Sequence, residues 1–193
     1  MIFTSGTKIE TEPDAVNCPR FGKAVYTGPM HPVRVAAVFS SPLGELWAEA
    51  TDRGLSRLCF GVPVDAAPAA GGPILEALGH QLGEYWAGRL RSFTIPLDLK
   101  GSPFQQRVWQ ALLTIPWGKT RTYLEQSILL GDPAALRAVA AANGRNPVAI
   151  VVPCHRVVGS DGSLTGYAGG LDRKRALLEL EGWRPYGQGS LAL

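Results

Sequence analysis

A chain of 193 residues that is 46% hydrophobic and carries 19 Lys+Arg against 16 Asp+Glu, a formal net charge of +3, is long enough to bury one or two small cores, and its charge permits nucleic-acid binding without demanding it. No stretch approaches the apolar length that crosses a bilayer and no apolar signal segment stands at the start, which argues against a membrane-spanning or secreted protein. Cys18, Cys59 and Cys154 are odd in number and lack paired spacing, so a reduced intracellular compartment is expected: the cytoplasm, or the nucleus if the source is eukaryotic.

Residues 1–32 hold several charges and prolines without a clear period and read as a partly disordered extension, in which Cys18 is incidental. Residues 33–39 alternate loosely. The turn Ser41-Pro42-Leu43-Gly44 leads into a second strand over 45–50, and Arg53-Gly54 turns the chain into a third over 55–60, a three-stranded meander. The Ala-, Pro- and Gly-rich stretch 63–72 is a loop. Residues 73–87 place Ile74, Leu75, Leu78, Leu82, Tyr85 and Trp86 at helical spacing, and a small α/β unit closes near Leu99.

Beyond it the helix signals are cleaner. Ser102-Pro103-Phe104-Gln105 combines an N-cap, a proline at the first helical position and a capping-box glutamine, which predicts a helix from Pro103 to about Thr114. Thr122-Tyr123-Leu124-Glu125 is a second capping box, whose helix should end at Gly131. Asp132-Pro133 then caps a further helix over 133–143, with Gly144 as its terminator. Two helices joined by so short a turn fit either a helix-turn-helix with 133–143 in the recognition position or an ordinary helical hairpin. Ala134, Ala135, Ala138, Ala140, Ala141 and Ala142 leave that second helix almost without bulk, which suits close approach to a minor groove and equally suits tight packing on a core.

The apolar run 148–152 reads as a buried strand, and Pro153 must end it. Cys154 and His155 then sit together where that strand surfaces. If a helix follows, its free N–H groups and positive dipole end would favour thiolate over thiol.

Around this pair stand Asn143-Gly144-Arg145-Asn146-Pro147-Val148 upstream, and Arg156-Val157-Val158-Gly159, Gly166-Tyr167-Ala168-Gly169-Gly170-Leu171 and Leu177-Leu178-Glu179-Leu180-Glu181-Gly182 downstream. From about Phe104 to Gly182, roughly 80 residues in one register, the chain closely resembles the C-terminal half of the 6-O-alkylguanine-DNA alkyltransferases, DNA repair proteins that use themselves up; residues 33–100 match loosely and 1–32 not at all. The resemblance implies an α/β fold with a small N-terminal sheet-plus-helix domain over 33–99, a mostly helical helix-turn-helix alkyltransferase domain over 100–183, and a tail from 184.

It further implies irreversible transfer of an alkyl group from 6-O-alkylguanine in double-stranded DNA, after nucleotide flipping, to Cys154. His155 would be the base acting through a water, Glu181 the carboxylate that orients it, Asn146 the organiser of the turn, and Tyr123 the phenol that protonates the leaving guanine. Val157, Tyr167 and Ala168 would line the base pocket. Arg137 would take the place of the flipped nucleotide, with Ala138 and Tyr123 also at the DNA. No cofactor and no metal is expected, and the protein should act as a monomer.

Some positions depart from the family pattern. Ala168 stands where many relatives carry Ser, Gly159 and Gly166 suggest a roomier pocket, and Gln126 and Ser127 occupy helix positions that are usually apolar or small. Cys18, Cys59, His31 and His80 show no metal-ligand spacing, and Cys59 between Leu58 and Phe60 reads as core. Two other readings are an alkyltransferase-like damage-recognition protein without transfer, whose relatives replace the cysteine retained here, and a cysteine hydrolase, against which an adjacent Cys-His pair argues.

Overall fold

The computed structural model describes residues 35–64 and 71–184. The extension 1–32 with Cys18 and His31, the start of the first strand at 33–34 and nearly all of the tail lie outside the described residues.

Strands β1 (Val35–Phe39), β2 (Leu46–Ala50) and β3 (Leu55–Phe60) form the expected antiparallel meander, in register Val38 to Trp47 and Trp47 to Cys59. Helix α1 (Pro73–Trp86) buries Leu75, Leu78, Leu82 and Tyr85, one stripe at three- and four-residue intervals. Its stripe joins Leu46, Ala48, Ala50, Leu55 and Leu58 of the sheet in a core that continues into Val108, Trp109, Val139, Val157 and Leu177. The two halves of the chain therefore share one hydrophobic interior. Cys59 is buried there at 7% exposure, as its place between Leu58 and Phe60 leads one to expect, and Cys154 is a free thiol among the described residues.

Both capping boxes form. The Ser102 hydroxyl accepts from Gln105 N at 3.3 Å while Gln105 Oε1 accepts from Ser102 N at 2.9 Å, opening α2 (Pro103–Leu113). Thr122 and Glu125 exchange the same bonds at 3.1 and 2.7 Å to open α3 (Tyr123–Leu129). The next helix departs from the sequence expectation. Residues Pro133–Ala135 form a 3-10 turn, and α4 runs from Leu136 to Gly144, with Gly144 inside it and Arg145 as its cap. Pro133 has no N–H to give and Asp132 takes Ala134 N at 2.9 Å, so the first turn closes tightly before the α-helical ladder begins.

Gln126 and Ser127, polar where apolar residues were expected, are fully buried and satisfied. Gln126 and Asn143 bond each other side chain to side chain, at 2.8 Å from Asn143 Nδ2, which ties α3 to α4, and Ser127 Oγ donates to Tyr123 O at 2.9 Å. A short parallel pair, β4 (Arg121–Thr122) with β5 (Val157–Val158), and helix α5 (Leu171–Leu180) complete the unit. No helix among the described residues is long and apolar enough to cross a membrane.

The buried strand expected over 148–152 does not form. Val148 makes a single parallel bridge to Leu58 of β3, through Leu58 N to Pro147 O at 2.9 Å and Ala149 N to Leu58 O at 2.8 Å. The chain then coils on itself. Val151 N bonds Ala149 O at 2.8 Å across Ile150, whose φ of +70° is rare for a β-branched residue. Cys154 N bonds Val152 O at 2.9 Å across Pro153, at φ −83° and ψ +64°, an inverse γ-turn.

Candidate active site

Cys154 opens a 3-10 turn of only three residues, Cys154–Arg156, so the extended helix dipole that would have favoured thiolate is absent, and that expectation is corrected. The turn is held by Asn146, which leaves α4 and folds back. Its Nδ2 donates to Val152 O at 2.7 Å and to Cys154 Sγ at 3.1 Å, and its Oδ1 accepts from Val148 N at 3.1 Å. Cys154 is 8% exposed. Burial pushes its thiol up, opposed by the Asn146 hydrogen bond and the positive charge of Lys174. At rest this is a protonated thiol that needs a base.

The neighbouring imidazole is oriented for that task. His155 is fully buried, with Nε2 2.9 Å from Glu181 Oε1 and Nδ1 without a protein partner. Glu181 is held ionised, so Nε2 must carry the proton and Nδ1 presents a lone pair. Burial lowers the pKa of His155, while Glu181 works the other way. Burial alone would raise Glu181, but hydrogen bonds from His155 and Arg156 outweigh it and hold the carboxyl at about 2. Arg156 grips it in a fork, Nε to Oε2 at 2.7 Å and Nη2 to Oε1 at 2.8 Å, and gives Nη1 to Ile115 O at 2.6 Å. Glu181 caps α5 with 3% exposure, where its charge opposes the dipole, and these donors offset that cost. Gly118, at φ +69°, lets the Trp117–Lys119 loop pass the same residue: a Cβ there would meet Glu181 O at 2.7 Å.

A third group closes the site from the 165–170 loop. Tyr123 Oη donates toward Thr165 O at 3.2 Å and Gly166 O at 3.1 Å. Lys174, wholly buried, donates to the same Thr165 O at 2.7 Å and to Val157 O at 2.6 Å, and lies 5.8 Å from the Tyr123 ring centroid. Burial lowers the pKa of its ammonium to about 8, against the pull of Cys154. Burial raises Tyr123 and Tyr167, and Cys154 adds to both. Tyr167 Oη is buried without a protein partner. Ala168 is half-buried beside it, whereas Val157 is fully buried and serves the site through its carbonyl.

Arg137, Ala138 and Ala141 are exposed on α4, as are Ala134 in the turn before it and Arg145 at its cap, while Val139, Ala142 and Asn143 face inward. The alanines thus divide between both readings, an open face and a packed one. A cleft of about 530 Å³ between residues 91–93, 113–117 and 150–153 touches Arg156 but none of Tyr123, Tyr167 or Ala168, so it is separate from the expected base pocket. Among the described residues no group of three His, Cys, Asp or Glu could hold a metal.

Sequence reasoning gave no role to Lys174, Arg156 or Tyr85. For Lys174 a signal existed: residues 174, 177, 178 and 181 form the buried stripe of α5, and a lysine on that stripe must serve something internal.

Fold and site define a thiol protein in which a sheet-and-helix unit and a helix-turn-helix unit share one core around a Cys-His-Glu constellation. Residues 103–183 match the family model described as the DNA binding domain of 6-O-methylguanine DNA methyltransferase, and residues 35–99 match that family's ribonuclease-like domain. The chain belongs to the 6-O-methylguanine DNA methyltransferase family. A methylated-DNA--protein-cysteine methyltransferase of Mycobacterium tuberculosis is 63% identical over 101 residues, 52% of this chain and 61% of that one, so the matched stretch spans about three-fifths of that relative. The protein of the same name from Methanosarcina barkeri is 44% identical over 149 residues, 75% of this chain and 94% of that one. Among solved structures, the O6-methylguanine methyltransferase of M. tuberculosis superposes with a TM-score of 0.71 at 46% identity, covering 80% of this chain and 96% of that one. The M. tuberculosis OGT in complex with DNA gives 0.69 at 49% identity, covering 75% and 90%.

Proposed function

We propose that this chain repairs DNA by direct reversal, transferring the alkyl group of a flipped 6-O-alkylguanine to Cys154 once and irreversibly. Displacement at saturated carbon needs a soft nucleophile and a protonated leaving group. In this reading Cys154 passes its proton through a water to His155 Nδ1, and the imidazolium is stabilised by Glu181. The sulfur attacks the alkyl carbon as the carbon–oxygen bond breaks, and Tyr123 gives its proton to the departing guanine, leaving a phenolate near the Lys174 ammonium. Asn146 holds the turn that aims the thiol. Tyr167 and Ala168 line the base pocket with Val157 beneath, while Arg137 fills the vacated stack and Ala138 lets α4 approach the duplex.

The observation that carries this reading is the pairing of a free, buried thiol with an imidazole whose Nε2 is locked to a carboxylate and whose Nδ1 is open. A binding-only protein has no use for such a relay. The chemistry needs Cys154 reduced and one chain per lesion, so we also propose a monomer working in the cytoplasm, or in the nucleus of a eukaryotic source.

The test is intact-mass and peptide spectrometry after mixing with a duplex holding one 6-O-methylguanine. One methyl group per chain, on the Cys154 peptide, is the expected result. Repair of more than one equivalent per chain, or a methyl group on another residue, overturns the proposal.

A further inference from the structure

We propose that Tyr85, which α1 brings from the sheet-and-helix unit, is a positioning residue of the thiol site whose hydroxyl limits how strongly Glu181 supports His155. This rests on the relay proposed above. The ring of Tyr85 is fully buried and fixed by three neighbours, with centroids 5.1 Å from Trp86, 5.3 Å from Phe93 and 5.3 Å from Trp117. Phenylalanine would fill that aromatic nest equally well. What tyrosine adds is a buried hydroxyl, which must find an acceptor, and its acceptor is Glu181 Oε1 at 2.9 Å.

That oxygen is also the one that faces His155 Nε2 at 2.9 Å and accepts Arg156 Nη2 at 2.8 Å. Three donors share one oxygen, so the charge that the phenol draws is not available to the imidazolium. When His155 takes the thiol proton, Oε1 is its counter-charge. A donor competing for Oε1 makes that transfer harder and keeps Cys154 protonated to a higher pH. Glu181, Arg156 and Tyr167 face the phenol, Glu181, Arg156 and Lys174 face His155, and Asn146, Lys174, Tyr123 and Tyr167 face Cys154. Tyr85→Phe leaves all of these in place.

The experiment follows alkylation of Cys154 by iodoacetamide against pH, with the Cys154 peptide read by mass spectrometry. It needs no DNA, so it tests Tyr85 even if the repair reading fails. In Tyr85→Phe the midpoint should move down by roughly half a pH unit, because a hydrogen bond to the charged form has been redistributed. In a Glu181→Gln background the same change should move nothing, since the shared charge is gone. Incorporating a more acidic fluorinated tyrosine at position 85, which keeps ring and hydroxyl, should move the midpoint upward and serves if Tyr85→Phe does not fold. An unmoved or raised midpoint in Tyr85→Phe, an unmoved or lowered one with the fluorinated residue, or a displacement that survives in Glu181→Gln overturns the proposal.

Discussion

The Asn146 side-chain amide bonds the Val152 carbonyl at 2.7 Å and the Cys154 sulfur at 3.1 Å with the same nitrogen, so one NH₂ group both closes the turn and touches the atom it presents. Asn146→Asp keeps the shape and the acceptor for Val148 N but sets a negative charge against the thiol. It should raise the Cys154 pKa and slow alkyl transfer at neutral pH by tenfold or more, about one pKa unit's worth. Asn146→Ala should also lower stability by about 1–3 kcal/mol, because the buried Val148 N–H loses its acceptor and the Val152 carbonyl keeps only Cys154 N. Single-turnover rates across pH and urea unfolding measure the two effects separately.

His155→Gln should remove the base and move the pH dependence of transfer upward, while binding of methylated duplex barely changes. Glu181→Gln should give a milder shift in the same direction, since the imidazole remains but is poorly supported. The two wild-type groups also shape stability against pH. Glu181 is depressed to about 2 in the fold, so its contribution is present above the unfolded carboxylate pKa of ~4.3 and is lost as pH falls toward the folded value. His155 is lowered by burial, so the unfolded chain takes up a proton first and stability declines as pH drops below ~6.5. Melting temperature measured from pH 7 down to 3 should show both limbs, and Glu181→Gln should flatten the lower one.

Replacing Lys174 by Met removes the cation whose charge lowers the Cys154 thiol, along with its bonds to the Val157 and Thr165 carbonyls. The thiol pKa should rise, and the Thr165–Gly166 loop that anchors Tyr123 should loosen. Iodoacetamide titration of Cys154 reports the first effect. Faster amide hydrogen exchange around Thr165 and Gly166, with β1 to β3 unchanged, reports the second.

Arg137 is exposed on α4 with no partner required by the fold, so Arg137→Ala should leave stability within about 0.5 kcal/mol of the parent. Repair in duplex DNA should slow much more than reaction with free benzylated guanine, which needs no extrusion. Equal slowing on both substrates would make Arg137 an ordinary surface charge. Duplex affinity should also fall as salt rises, because phosphate contacts release counterions.

Much of this protein was legible along the chain because its signals are local. Each capping box closes within four residues, so Ser102 with Gln105 and Thr122 with Glu125 announced α2 and α3 before any packing was known. The stripe from Leu75 to Tyr85 and the turn at Arg53-Gly54 follow the same logic, and the Cys154-His155 pair marked the chemistry directly. Bonds that reach far across the chain decided the rest. The apolar run 148–152 had the composition of a strand, yet Asn146 and the bridge to Leu58 turned it into consecutive tight turns. Composition records what a segment prefers to bury, not which partner claims its backbone. By its position in the chain Glu181 is only an acid at a helix end; the fold is what brings Arg156, His155 and Tyr85 onto it, the last of them 96 residues away. Lys174 likewise acquired a purpose only when the fold brought two carbonyls from other segments to its ammonium and set its charge where it favours the Cys154 thiolate. Residue type and spacing determined which groups this protein carries; desolvation in a shared core determined which of them must stay charged, which must stay neutral and which of them touch.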